Sequence, residues 1–243
     1  MGGSPRSDGS STREDALLAG LAGRLRSPVL AGEEHLPVAP ALTGLLGAPG
    51  LRRGSTVSLD GGGAPGVTSL ALLLLAEASA SGLWCGIVGL GDLGIAATAE
   101  LGLDLGHLYL VPRPGRRFAA VTAELLAGFD AVLAAVPPGC TRSEARRLAA
   151  RARERRSVLL ALSGSAAAPA SGPWPEPAEV RLTVTGGDVV GLRRGSGRVT
   201  ARRLALTARL RRATPPERSA LLWLPGLRLE LAAGLPERRR ALG

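Results

Sequence analysis

Short apolar runs alternate with amphipathic or apolar helical patterns through the middle of the chain. The apolar runs predict strands at 56–59, 83–90, 107–111, 130–136 and 157–162. Between them, the spacing of apolar residues predicts helices at about 68–81, 95–101, 119–127 and 143–156. Strands that are apolar throughout and separated by helices are typical of a parallel sheet covered on both faces. The pattern therefore predicts an α/β fold.

After residue 179 the pattern changes to alternation between apolar and polar positions. Strands are predicted at 180–185, 189–192 and 199–210, with Gly186, Gly187 and Asp188 as a hairpin turn. On the last strand, leucines and alanines fall on one face, and Arg203, Arg209 and Arg211 fall on the other. We therefore expect antiparallel strands at the C-terminal side of the sheet.

The remaining stretches set the expected domain limits. Residues 1–27 predict a disordered tail followed by a short amphipathic helix over 13–26, with Leu17, Leu18, Leu21 and Leu25 at helical spacing. Four prolines make 27–53 loop-like. We expect the core domain at 28–212, a Pro- and Ala-rich loop at 163–179, and an Arg-, Leu- and Pro-rich tail at 213–243 with only an apolar patch at 221–224.

Composition narrows the class of protein further. The longest uninterrupted apolar run, 70–76, is far shorter than the roughly 20 residues of a membrane span, and the first residues are polar. A soluble cytoplasmic protein with no membrane contact is therefore expected.

Cys85 and Cys140 are far apart, and the chain has only two histidines. This spacing excludes a disulfide framework or zinc ribbon, so we expect buried or half-buried thiols and no metal.

The charged residues are unusual in type and placement. All 30 basic residues are arginine, and the chain has no Lys, Asn or Gln, an absence for which a GC-rich genome accounts. Any mechanism that requires Lys or Gln from this chain is therefore excluded. Residues 1–192 hold 17 Arg and 17 acidic residues, whereas 193–243 hold 13 Arg and 3 acidic residues. The whole net charge of +10 thus lies in the last fifth, which suggests an anionic partner.

One local motif lies at the junction of the first core strand and its helix. It reads LDGGGAPGVTS over 59–69, with the spacing G-x-x-x-x-G-x-T. In a phosphate-binding loop, glycines let backbone N–H groups surround the phosphates at the positive end of a helix. The candidate phosphate-loop residues are Gly61, Gly62, Gly63, Gly66, Val67, Thr68 and Ser69.

Val67 stands where such a loop carries its lysine. Valine supplies neither the charge nor the hydrogen bond that reaches the terminal phosphates, whereas Thr68 stands where Mg²⁺ would be bound. Three interpretations stay open: a vestigial loop with no useful nucleotide site, weak ATP binding by the backbone alone, or a glycine-rich turn that only joins strand to helix.

The chain resembles a RecA-type core over about residues 37–212. The resemblance begins with the segment LPVAPALTGLLGAPGLRRGSTVSLDGGGAPGVTS and continues downstream with WCGIVGLGDLG, FDAVLAAVPP and SVLLAL. Within that superfamily the chain is most similar to the ImuA-type accessory proteins of bacterial mutagenic DNA repair. The resemblance implies a RecA-like P-loop core with degenerate Walker motifs. It also implies a role in damage tolerance beside a Y-family polymerase accessory complex or a recombinase, in the cytoplasm and on the nucleoid if DNA is bound.

The chain departs from the RecA pattern wherever that pattern carries chemistry. The family's water-orienting glutamate falls at about Gly91, beside Asp92, and the strand that would end in the Walker B aspartate begins with Asp130 and ends in Val136. We therefore expect no catalytic residues, no required cofactor and a non-catalytic scaffold. The alternative is a RecA-type ATPase in which Arg52 or Arg53 replaces the missing lysine.

Three further features carry alternatives. His107 is expected to be structural rather than catalytic. The Arg-rich helix at 143–156 is read as a solvated face, with a phosphate-contacting surface as the alternative. The C-terminal arginine cluster is expected to bind the phosphate backbone of a nucleic acid, with an acidic protein partner or simple solubility as alternatives. Its residues are Arg193, Arg194, Arg198, Arg202, Arg203, Arg209, Arg211 and Arg212.

Overall fold

The computed structural model describes residues 34–168, 170–193, 196–224 and 227–232. The strands are β1 (His35–Pro37), β2 (Gly50–Arg52), β3 (Thr56–Asp60), β4 (Cys85–Val88), β5 (Leu108–Val111), β6 (Ala131–Ala135), β7 (Val158–Ser163), β8 (Val180–Arg193), β9 (Ser196–Leu210), β10 (Glu217–Leu224) and β11 (Arg228–Ala232). The α-helices are α1 (Pro40–Leu46), α2 (Val67–Ala80), α3 (Ile95–Glu100), α4 (Phe118–Gly128) and α5 (Arg142–Arg155). The predicted amphipathic helix at 13–26 lies outside the described residues.

Nine of the strands in the described residues form one sheet, in the order β11-β10-β9-β8-β3-β7-β6-β4-β5. Strands β8, β3, β7, β6, β4 and β5 run parallel to one another. Strands β9, β10 and β11 continue the sheet as antiparallel neighbours. Both the parallel core and the antiparallel extension expected from the sequence are therefore confirmed.

The sheet has two apolar layers because its central strands are buried on both faces. Helix α2 packs on one face, where Leu70, Leu74 and Leu75 are almost fully buried with residues of β3, β8 and β9. Helices α4 and α5 cover the opposite face of β4, β6 and β7. This arrangement explains why the central strands read as continuous apolar runs.

Helix α5 shows how the sequence positions its own ends and faces. Thr141 accepts the N–H of Glu144, and the Glu144 carboxylate accepts the N–H of Thr141, which forms a reciprocal capping box. Ala145, Leu148 and Ala152 form its buried stripe. The arginines lie mainly outside this stripe, in keeping with a solvated helical face.

Three predictions of local structure were wrong. The proposed hairpin turn at Gly186, Gly187 and Asp188 is instead part of β8, which continues to Arg193 and pairs with β9 from Ser196 onward. A register shift between Val184 and Gly186 accommodates the glycines inside the strand, as a β-bulge does.

The region at 27–53, expected to be loop-like, contains a short helix and two short strands among its described residues. Pro40 occupies the start of α1, where the missing N–H costs nothing, and Gly47 ends the helix in the left-handed region with φ of 65°. The prolines therefore mark the limits of elements rather than exclude them.

Regular structure does not end near residue 212 either. Strands β10 and β11 fall in the segment assigned to a tail, and β10 pairs along its whole length with β9. Arg218 of β10 donates to the carbonyl of Gly44 at 2.7 Å. A cation at the C-terminal end of α1 is favourable because that end carries the negative pole of the helix.

The Pro- and Ala-rich segment at 163–179 is attached to the core through its described residues. Trp174 is buried against the α4 and α5 layer. Glu176 accepts from Arg142 at 2.6 Å and lies 3.8 Å from Arg146. These contacts hold the segment against α5. No helix of the described residues has the length and apolar character to cross a bilayer.

Candidate functional site

The glycine-rich motif forms a loop between the carboxyl end of β3 and the start of α2. Gly62, Gly63 and Gly66 have positive φ of 49°, 81° and 103°, which other residues rarely adopt. Gly66 is the N-cap of α2, and no side chain caps this end of the helix. The strand, loop and helix thus have the order that a phosphate-binding loop requires.

Two neighbouring segments hold the loop closely. The N–H of Gly61 donates to the carbonyl of Ser163 at 3.0 Å, and a Cβ on Gly164 would lie 2.8 Å from the nitrogen of Gly62. On the other side, a Cβ on Gly66 would overlap the side chain of Leu204 on β9. The loop is therefore packed between the end of β7 and β9.

Val67, at the lysine position, is directed into the core. Its side chain is 1% exposed, and its Cγ1 would lie 2.7 Å from a Cβ on Gly61. An apolar group therefore supports the loop from beneath, where a phosphate loop would provide a cation. Since all the basic residues are arginine, no lysine elsewhere in the chain can replace it.

Asp60 places a negative charge on the same loop. Its Oδ1 accepts the N–H of Gly62 at 2.9 Å and would lie 3.1 Å from a Cβ on Gly164. This carboxylate occupies a backbone donor that would otherwise be available to a phosphate oxygen. It also opposes the approach of a second anion by like-charge repulsion. Asp60 was not among the candidate loop residues, although the sequence places it directly before the first glycine of the loop.

The hydroxyl of Thr68 is engaged within the protein. Its Oγ1 lies 2.6 Å from the Oγ of buried Ser165, which also accepts the N–H of Ala167 at 3.1 Å. A magnesium ion bound to Thr68 would have to compete with this hydrogen bond. Ser69 is half-buried in the first turn of α2. Among the described residues, no three His, Cys, Asp or Glu side chains come together as a metal-ligand group.

The acidic residues of the RecA pattern are not assembled beside the loop. Asp92 is exposed in the segment after β4. The carboxyl end of β6 borders an apolar cleft of about 270 Å³ lined by Ala135, Val136 and Pro137 among others. At this end of β6 a Walker B carboxylate would be needed, and apolar side chains stand there instead.

Asp130 and Arg53 form a buried ion pair at the amino ends of the parallel strands, opposite the end that carries the loop. The Nη1 of Arg53 lies 2.9 Å from Oδ1 of Asp130, and the side chains are 2% and 6% exposed. The other carboxylate oxygen accepts the N–H of Trp84 at 3.1 Å. The role of this aspartate is therefore to neutralise Arg53 and to fix the start of β4.

The alternative in which Arg52 or Arg53 replaces the loop lysine is wrong. Both residues precede β3, whereas the loop follows it, and a five-residue strand separates its two ends by about 13 Å. Arg52 lies 3.8 Å from Glu179, and Arg53 is held by Asp130. Neither guanidinium is placed at the loop.

The basic cluster lies partly on the outer face of β9. The inner face, from Leu204 to Leu210, is buried, as the alternation predicted. On the outer face, Arg203 pairs with Asp188 of β8 and lies 5.5 Å from the ring of Trp223. Arg209 pairs with Glu217 of β10 at 3.1 Å. Cross-strand acids therefore neutralise part of the cluster.

The other six arginines of the cluster differ in position. Arg211 and Arg212 are exposed after the end of β9, and Arg202 is half-buried. Arg193 and Arg198 belong to β8 and β9, and Arg194 lies outside the described residues. The acidic partners of Arg203 and Arg209 were missed because pairing register, which places Asp188 and Glu217 opposite them, is not visible in one strand alone.

His107 and the two cysteines have structural surroundings. The Nδ1 of His107 lies 2.6 Å from Oδ2 of Asp104, and its ring packs edge-on against Trp84. The hydrogen bonds from His107 and from the N–H of Gly106 hold the pKa of Asp104 below its usual value. Burial raises the pKa of the Cys85 thiol, and partial burial raises that of Cys140. Both thiols are therefore poor nucleophiles, and their expected burial is confirmed.

Parallel core, loop and antiparallel extension together define a RecA-like α/β fold whose glycine-rich loop has valine at the lysine position. A solved structure supports this class: the KaiC-like protein PH0186 from the hyperthermophilic archaeon Pyrococcus horikoshii OT3 is similar with a TM-score of 0.54. That similarity covers 84% of this chain and 100% of the archaeal chain at 15% identity. At this identity the likeness shows the fold alone.

Within this class the chain belongs to the family of the MT3502 N-terminal domain, which matches residues 44–176. The chain is also 38% identical over 100 residues to the uncharacterized protein Rv3395c of Mycobacterium tuberculosis (strain ATCC 25618 / H37Rv). This similarity covers 41% of the chain and 49% of the mycobacterial protein, so the chain spans about half the length of that relative.

Proposed function

We propose that this protein is a non-catalytic RecA-like accessory protein of DNA damage tolerance, similar to the ImuA type. In this role it holds protein partners, and it contacts DNA through the basic residues at the end of β9. The RecA-like fold supports the scaffold part of the proposal, and the similarity to ImuA-type sequences supports the repair context.

The observation that carries the non-catalytic role is the state of the phosphate loop. Val67 is buried beneath the loop, and Asp60 accepts one of its N–H groups. Transfer of a phosphoryl group depends on cations and acids that position the phosphate, the metal and water. Here apolar Val67 stands in place of the cation, and the Asp60 carboxylate adds a negative charge to the loop.

Phosphate release and nucleotide titration test this role. We expect no ATP turnover above a protein-free blank, with or without single-stranded DNA, and no heat of MgATP binding by calorimetry. Turnover that is abolished in Thr68→Ala would contradict the proposal and favour an active ATPase. Binding without turnover would favour the second candidate, a loop that holds ATP through the uncapped N-terminus of α2 alone.

The DNA contact is assigned to Arg211 and Arg212 rather than to the whole cluster. These residues are exposed, whereas Arg203 and Arg209 already have acidic partners. Release of counterions from single-stranded DNA gives a slope of about −0.7 in log K against log salt for each phosphate contact. The double variant Arg211→Ser/Arg212→Ser is therefore expected to flatten the slope by about 1.4.

The matched control is Arg142→Ser/Arg146→Ser on α5, whose guanidiniums are directed to Glu176. This control should leave the slope unchanged. If the control flattens the slope and the Arg211/Arg212 variant does not, the DNA surface is α5. If the wild-type protein binds no DNA at low salt, an acidic protein partner is the better occupant of the cluster.

The protein partners are tested by affinity capture from cells exposed to DNA damage. Recovery of a Y-family polymerase, a clamp or a recombinase is the expected outcome. Capture in which none of these proteins is enriched over an untagged control would contradict the repair role.

A further inference from the structure

The apolar cleft at the carboxyl end of β6 lies where the chain leaves two neighbouring strands in opposite directions. Strands β4 and β6 pair with each other, and Gly89 and Ala135 at their ends both line the cleft. After β4 the chain joins the apolar layer of α2 through Leu101 and Leu103, whereas after β6 it continues into α5 in the opposite layer. In open α/β sheets, ligands bind in the crevice that such a divergence leaves outside the strand ends. The cleft therefore has the position of a binding site.

The walls of the cleft combine a buried floor with an uncovered apolar rim. Phe118, Ala135 and Val136 form the floor and are buried. The volume of about 270 Å³ is just below the range of roughly 300–1,000 Å³ that is typical of ligand pockets. At the packing density of a protein interior, about 0.75, it has room for about a dozen non-hydrogen atoms. The rim residues are apolar and half-buried or exposed: Pro112, Pro114, Pro137, Pro138 and Ala170.

A single cation stands at this rim. Among the described residues that line the cleft, Arg113 is the one with a charge, and its side chain is exposed. Its Nε would lie 3.4 Å from a Cβ on Gly91, so the side chain lies over the segment that follows β4. No acidic side chain of the described residues forms an ion pair with Arg113. Arg116 and Arg117, in the turn that leads into α4, add positive charge nearby. The cleft is therefore apolar inside and positive at its rim.

We propose that this cleft binds a small carboxylate with an aromatic or branched aliphatic body. The body packs against Phe118 and the proline rings, and the carboxylate pairs with Arg113. The planar guanidinium suits this head group because it can donate two parallel hydrogen bonds to one carboxylate. A nucleic-acid backbone offers phosphates but no apolar body to fill the cleft. This proposal depends on neither the glycine-rich loop nor the repair role.

Titration of the full chain, labelled with ¹⁵N, against 4-phenylbutyrate tests the proposal by NMR. We expect the changes in amide chemical shift to concentrate at Gly89, Gly115 and Ala170, which line the cleft. They should saturate with a Kd of about 1 mM, as is usual for so small a ligand. Butyrate keeps the carboxylate without the ring, and 4-phenylbutanamide keeps the ring without the charge. Each should bind about tenfold more weakly, because one half of the recognition is missing.

A pair of arginine variants makes the test specific. Arg113→Met removes the charge and keeps an apolar stem, and it should weaken the binding of 4-phenylbutyrate about tenfold. It should leave the weaker binding of 4-phenylbutanamide unchanged. The matched control is Arg153→Met, which replaces an exposed arginine in the last turn of α5, beside Gly54 at the amino end of β3. This control should bind 4-phenylbutyrate as the wild-type protein does. Both side chains are exposed, so both variants should keep the wild-type melting temperature.

Four results would overturn the proposal. Shift changes that spread over the surface and do not saturate would show binding at high concentration only. Equal affinities for 4-phenylbutyrate and 4-phenylbutanamide would show that no cation takes part, and equal effects of Arg113→Met and Arg153→Met would show that the cation is not Arg113. Displacement of 4-phenylbutyrate by a short oligothymidylate, but not by a second aryl carboxylate, would assign the cleft to nucleic acid instead.

Discussion

Removing the carboxylate of Asp130 should destabilise the protein strongly. Asp130→Ala removes the carboxylate that lies 2.9 Å from the Nη1 of Arg53, whose side chain is 2% exposed. It also removes the acceptor of the N–H of Trp84. Breaking a buried ion pair in this way costs about 3–5 kcal/mol in the free energy of unfolding.

This loss of unfolding free energy corresponds to a lower melting temperature. For domains of this length, 1 kcal/mol lowers Tm by about 2–4 °C, so Asp130→Ala should lower Tm by about 6–20 °C. Thermal and urea unfolding followed by far-ultraviolet circular dichroism measure the change. The double variant Arg53→Met/Asp130→Leu replaces both members of the pair by apolar side chains, and it should recover much of the loss because neither desolvated charge is then buried.

The result that refutes this reasoning is specific. A loss below about 1 kcal/mol in Asp130→Ala, as is usual for exposed pairs, would mean that the Asp130 carboxylate is not what stabilises buried Arg53. A double variant as unstable as the sum of the single variants would mean that the two groups do not interact.

Three further predictions concern packing and pH. Gly66→Ala should cost about 1–3 kcal/mol, because φ of 103° is strained for alanine and the new methyl group meets Leu204; unfolding in urea measures it. Trp174→Ala should cost about 3–5 kcal/mol through the buried volume it empties, and calorimetric melting should show the loss. Thr141→Ala should cost about 1 kcal/mol through the lost helix cap. The backbone N–H of Thr141 and its hydroxyl both lower the pKa of Glu144, and alanine removes only the hydroxyl; that part of the difference from wild type should persist above the ordinary pKa of glutamate and shrink as pH falls through the lowered value.

The parts of the fold that the sequence predicted are those governed by local pattern. Apolar runs such as 131–135 are buried on both faces, a pattern that is typical of strands inside a covered parallel sheet. The glycines at 61–66 predicted the turn from strand to helix because few other residues adopt its backbone angles. Local chemistry and tertiary structure agree at these positions.

The parts that were missed depend on partners distant in sequence. Strand β10 begins with the charged residues Glu217 and Arg218 and is preceded by Pro215 and Pro216, so its sequence is typical of a tail, and its pairing with β9 shows it to be a strand. The hydrogen bond between Thr68 and Ser165 joins residues 97 positions apart. Spacing along the chain predicted the candidate loop itself. It did not predict that the carbonyl of Ser163 accepts the N–H of Gly61, because the end of β7 meets the loop only in the folded protein.

The contact between Gly66 and Leu204 has a mechanical consequence. Leu204 touches the loop on the inner face of the sheet, and its neighbour Arg203 belongs to the outer face. Any side chain at position 66 would therefore press on β9, and a shift of that strand would carry Arg203 with it. Even without phosphate chemistry, glycine is needed at this position for the strand to lie so close to the loop.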